Sequence, residues 1–118
     1  MSYELYKVLH LFAVLLLFTS LGTLAATARS ESGPLRRLAG IAHGIALTVI
    51  FVAGFGLLAR LEILGSIPAW AWFKIGLWLI LALIVLPLRR KPEWATRLWL
   101  LIPIVGGLAA WLAINKPI

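Results

Sequence analysis

The 118 residues are 63% hydrophobic and 13% charged, with 11 Lys and Arg against 4 acidic residues, and neither Asp nor Cys. Soluble domains average roughly 45–50% apolar, so this composition does not supply a water-facing surface. The net charge of +7 falls mainly between long apolar runs. There it orients a membrane protein and does not form the basic patch of a nucleic-acid binder. Lack of Cys removes disulfides, thiolate metal sites and cysteine nucleophiles.

A helix crossing the hydrocarbon core takes about 20 apolar residues at 1.5 Å each. The first such run covers 5–27 and opens in YELYKVLHLFAVLLLF, residues 3–18. It has features of a secretory signal, with Lys7 before the apolar run and Ala26-Thr27-Ala28 as a small-residue site. Glu4, His10 and the length of the run favour a span. After ARSESGPLRR a second span covers 38–59, after RLEILGSIP a third covers 68–88, and after RRKPEWATR a fourth covers 94–115. Pro68 and Trp94 suit helix starts, the first because no donor is needed there, the second at head-group level. Pro103 should kink the fourth helix by removing a backbone donor. The loops are too short for another domain. The expected fold is all-α, a single integral membrane four-helix bundle over 1–118.

Lys and Arg outside the spans set the orientation. Arg29, Arg36, Arg37, Arg89, Arg90, Lys91 and Arg97 fall on one side; Lys7, Arg60 and Lys116 fall on the other. Both termini are therefore expected on the non-cytoplasmic side of a bacterial-type inner membrane. Trp70, Trp72, Trp111 and Tyr3 would mark the outer interface, and Trp94 and Trp99 the inner one. Gly40 and Gly44, Gly54 and Gly56, and Gly106-Gly107 offer close helix approach, inside the bundle or on a dimer face.

His10, His43 and Lys74 are the ionisable residues within spans. Such residues cost at least about 2.5–3.5 kcal/mol at mid-bilayer and usually face the interior with a partner. His10 lies about 7–8 Å and Lys74 about 9 Å below the outer surface, while His43 lies about 7–8 Å from the inner one. His10 and Lys74 thus share a level, roughly 15 Å from His43. Lys7, three residues before His10, is expected on the same helix face. Neutral imidazole is a good axial ligand for haem iron, and a cation beside it would suit a propionate or another carboxylate. The plainer alternatives are a histidine bonded to a neighbouring carbonyl, lysines reaching outward, and a His43 used for packing. Catalytic residues are not identifiable: there is no HExxH, no phosphate loop and no Ser-His-Asp set. Glu4, Glu31, Glu62 and Glu93 sit at boundaries or in loops, so no buried carboxylate relay is available.

YKVLHLFAV in the first helix and AWAWFKIGLWLILAL in the third resemble the HemJ-type protoporphyrinogen oxidases, which carry a K-x-L-H start and a W-x-x-K-[LI] start. The related SirB-type and CopD-type small membrane families share this arrangement. The resemblance implies haem b bound at His10 and Lys74; from the residues alone, Lys7 is an auxiliary cation and His43 a lesser candidate. It also implies protoporphyrinogen oxidation, with electrons passed toward respiratory-chain components. The alternative function is a non-catalytic accessory subunit, using Gly-rich and Trp-rich faces in a homo-oligomer or larger membrane complex. Metal or proton transport lacks the acidic and sulfur ligands such paths use.

Overall fold

In hydrocarbon every backbone N–H and C=O must be paired within its own segment, so an apolar run that spans becomes a helix. A computed structural model describes residues 2–28, 33–60 and 65–115. Its elements are α1 (Tyr3–Ala26), α2 (Pro34–Arg60), α3 (Ala69–Leu83), α4 (Val85–Arg90), a 3-10 turn (Pro92–Trp94) and α5 (Ala95–Asn115). The segments Tyr3–Ala26, Pro34–Arg60, Ala69–Arg90 and Pro92–Asn115 are each long and apolar enough to cross a membrane. All regular structure among the described residues is helical, and the chain is a four-helix, multi-pass type of membrane protein. Arg29, Glu31, Glu62 and Lys116, which entered the charge reading, lie outside the described residues.

The helix ends follow from local chemistry. Ser2 caps α1, its Oγ accepting from the Leu5 N–H at 3.2 Å. Pro34 opens α2, where its missing N–H would have had no helical partner. Arg36 closes the far end of α1: its Nη1 donates to the Leu24 carbonyl and the Thr27 hydroxyl, each at 3.0 Å. The third span is the broken one. Pro87 offers no N–H to the Leu83 carbonyl, and its ring crowds that turn. The backbone tightens at Ile84 (φ −62°, ψ −20°), near 3-10 values, and α4 resumes at Val85. Pro103, by contrast, lies inside α5, which continues from Ala95 to Asn115. Spanning helices tolerate such a proline because neighbouring groups and small local adjustments accommodate the freed carbonyl.

Buried positions recur at spacings of three and four, as helices packed side by side require. They are Ala13, Leu17, Leu21 and Leu24 on α1, and Ala39, His43, Ala46, Ile50 and Ala53 on α2. Leu81, Ile84 and Leu88 continue the stripe through α3 and α4, and Ile102, Val105 and Leu112 supply it on α5. The opposite faces are also apolar: Leu15, Ile45, Val52 and Ile104 are exposed. A helix apolar all round belongs in lipid or in a large core. Thr19, Thr23 and Thr48 turn their hydroxyls back to the carbonyls of Leu15, Thr19 and Gly44 at 2.8–3.1 Å, leaving little polar surface for lipid to meet.

α1 and α2 run antiparallel, with Tyr6 against Gly56 at one end and Arg36 on Leu24 at the other. α3 runs antiparallel to α2: the Trp78 indole N–H donates to the Leu47 carbonyl at 3.1 Å, and the Phe51 ring packs tilted against Trp78 with centroids 5.1 Å apart. Phe18 against Gly106 joins α1 to α5.

Candidate functional site

Three rings on α1 project toward glycines on its neighbours: Tyr6 toward Gly56, His10 toward Gly54 and Phe18 toward Gly106. A glycine exposes backbone that any side chain would cover, so a flat ring can lie against the helix. At Gly56 and Gly106 an added Cβ would collide with the ring. At Gly54 it would stand 3.6 Å from His10 Cε1 and 3.8 Å from Nδ1, ordinary contact distances.

His10 therefore occupies the seam between α1 and α2, partly buried. The Ile50 carbonyl, one turn from Gly54 on the same flank of α2, stands as a backbone acceptor for the ring. Nδ1 is buried with no hydrogen-bond partner, the single such side-chain atom among the described residues. A buried polar atom without a partner costs about 1–3 kcal/mol, so its persistence calls for an explanation. Lys74, partly buried on α3, lies close enough for its charge to act on the imidazole, and it takes part in an interaction of its own. Thus residues 64 positions apart in the chain come within electrostatic reach of each other.

Lys7 does not join them. It is exposed, and its Nζ lies over the Tyr3 ring, 6.0 Å from the centroid. The i, i+3 spacing still leaves about 60° between two residues around a helix of 3.6 residues per turn. That rotation separates a His10 turned to α2 from a Lys7 turned outward. His43 is also apart. It is buried on α2, and its Nε2 lies 3.1 Å from the Leu81 carbonyl. Along α2 it is seven residues from Ile50 and eleven from Gly54, about 10–16 Å. Its hydrogen bond ties α2 to α3 one turn before the break at Ile84, an evident packing role.

The residues that the sequence patterns did not single out are Gly54 and Ile50. Counting from the shared end of an antiparallel pair would have found them, since His10 and Gly54 both lie about two turns inside α1 and α2. Two shallow hollows exist elsewhere, one of about 440 Å³ between Trp72, Phe73 and Gly76 on α3, another of about 390 Å³ between Ala25, Ala28 and Trp99. None of His10, Lys74, Lys7 or His43 lines either. Among the described residues no group of three His, Cys, Asp or Glu side chains is placed to hold a bare metal ion. A porphyrin-bound iron brings four nitrogens of its own and asks the protein for an imidazole, with a cation nearby for a carboxylate. His10 and Lys74 are residues of the types such a group uses, and the Gly54 notch beside His10 is filled by the imidazole itself.

Compared with known proteins, the chain matches no family model, no curated protein and no solved structure.

Proposed function

We propose that this is a small multi-pass protein of a bacterial-type plasma membrane, with both termini outside and a haem b or porphyrin site near that side. The reading follows the resemblance of YKVLHLFAV and AWAWFKIGLWLILAL to the HemJ-type protoporphyrinogen oxidases and the related SirB-type and CopD-type families. The observation that carries this reading is the buried, unpartnered Nδ1 of His10 with the Lys74 charge beside it. Neutral imidazole is the form that presents a lone pair to a metal ion. His10 would hold the group through a ring nitrogen, and Lys74 would orient it by pairing a peripheral carboxylate. When bound, haem would supply one-electron redox chemistry at its iron. The Tyr6–Gly56 contact, one turn from His10 on α1, packs the seam on the side toward the chain start.

The test is spectroscopic. The full chain purified in mild detergent and given haem should develop a Soret band that His10→Ala abolishes, Lys74→Met weakens and His43→Ala leaves intact. A wild-type protein that stays colourless, or a band indifferent to His10, overturns the proposal.

A further inference from the structure

At the other end of the bundle lies a second polar arrangement, independent of His10. Arg36 and Arg37 enter there on α2, Arg89 and Arg90 on α4 followed by Lys91, and Arg97 on α5. Arg36 is bound to the end of α1, and Lys91 lies over the Trp94 ring at 5.2 Å. Arg89 is placed differently. Arg89 is exposed as a residue, but its Nη2 stands 2.6 Å from where a Cβ on Gly40 would be, so one arm of the guanidinium lies over that glycine. It is also within electrostatic reach of His43.

The depth of this group is informative. His43 and Leu81 share a level through their hydrogen bond. Arg89 is eight residues beyond Leu81, about 12 Å, whereas Gly40 is three residues beyond His43, about 4.5 Å. The Arg89 side chain thus reaches back by roughly 7 Å toward the membrane interior, the direction in which helical side chains lean. A snorkelling arginine would reach the other way. A cation held at that level calls for an anion. Arg37, three residues before Gly40 on α2 and about 60° around the helix from it, is exposed and carries a second guanidinium at this end. Among the described residues the only carboxylate at this end is Glu93, which is exposed, and no ion pair engages Arg37, Arg89, Arg90 or Arg97.

We propose that Arg89 and Arg37, at the Gly40 notch, bind the phosphate of an anionic phospholipid head group in the leaflet at this end. Guanidinium forks match phosphate oxygens two at a time. Basic pockets between membrane helices are suited to such head groups. The surroundings favour a lipid over a soluble anion: Ile41, next to Gly40 on α2, and Leu86 on α4 are exposed apolar side chains that acyl chains would meet.

The experiment uses the full chain in nanodiscs of phosphatidylcholine alone or with a minor fraction of phosphatidylglycerol, read by native mass spectrometry and by melting. We expect one phosphatidylglycerol retained per chain, with about a tenfold preference over phosphatidylcholine, and a higher melting temperature in its presence. Arg37→Gln with Arg89→Gln should abolish both, while Arg90→Gln with Arg97→Gln, which removes equal charge from the same end, should keep them. Equal loss in the Arg90→Gln, Arg97→Gln protein would show diffuse surface charge and overturn the proposal. Inorganic phosphate reproducing the stabilisation in phosphatidylcholine discs would overturn the lipid assignment. If the Arg37→Gln, Arg89→Gln protein does not fold, the wild-type lipid preference alone decides, and its absence refutes the site.

Discussion

Gly54 and Gly56 are two residues apart on one helix, and alanine at the two positions should have opposite consequences. Replacing helical glycine with alanine gains about 0.8–1.0 kcal/mol of helix propensity, and this gain is common to both. At Gly54 the new methyl would stand 3.6 Å from the His10 ring, an ordinary contact, so Gly54→Ala should be neutral or stabilising by up to about 1 kcal/mol. At Gly56 it would collide with the Tyr6 ring, whose Cζ is only 2.8 Å from the new position. Overpacking of that kind costs about 1–3 kcal/mol. Because the propensity gain cancels, the difference between the two variants isolates the collision, about 1–3 kcal/mol. Equilibrium unfolding in mixed micelles, followed by circular dichroism, measures it. Tyr6→Ala in the Gly56→Ala background should remove most of the penalty, since these sites are coupled. Equal shifts at Gly54 and Gly56, or no relief from Tyr6→Ala, would refute the ring-against-glycine packing of α1 on α2.

Further outcomes follow from the same contacts. Gly106→Ala should destabilise the bundle by about 1–2 kcal/mol through its collision with Phe18, and Phe18→Ala in that background should recover part of this in the same micelle assay. Arg36→Ala removes two hydrogen bonds from a partly buried cation to the end of α1, a loss of about 1–3 kcal/mol in unfolding. Faster amide exchange near Thr27 should accompany it. His43→Ala should cost about 2–3 kcal/mol, as a buried donor and its packing are lost, while leaving haem binding unchanged. The chain has no cysteine, so single cysteines report sidedness cleanly. In intact cells Ser66→Cys should react with an impermeant maleimide and Thr96→Cys should not; the reverse pattern would invert the proposed orientation.

The four spans are legible because lipid leaves an apolar run of that length little alternative to helix, and charges with proline mark the breaks between runs. Interruptions inside a run are less legible. Pro87 and Pro103 both sit in apolar runs, yet the helix breaks before one and continues through the other. The common level of His10 and Lys74 can be counted at 1.5 Å per residue from the span ends. Rotation about the helix axis cannot be counted so well, and there Lys7 departs from His10. The pairing of rings with glycines depends on the register of α1 against α2 and α5, which no local pattern contains. Arg89 shows the same limit: as a symbol it is one more positive charge beside a membrane, and only the α2–α4 approach turns it onto Gly40.

Cross-linking in the membrane tests most directly whether His10 and Lys74 meet. In the cysteine-free chain, His10→Cys with Lys74→Cys should be joined efficiently by a short bifunctional maleimide. His43→Cys with Lys74→Cys, whose second position is about 10 Å along α3 from Leu81, should be joined poorly. Equal yields from the two pairs, or none from positions 10 and 74, would contradict the account.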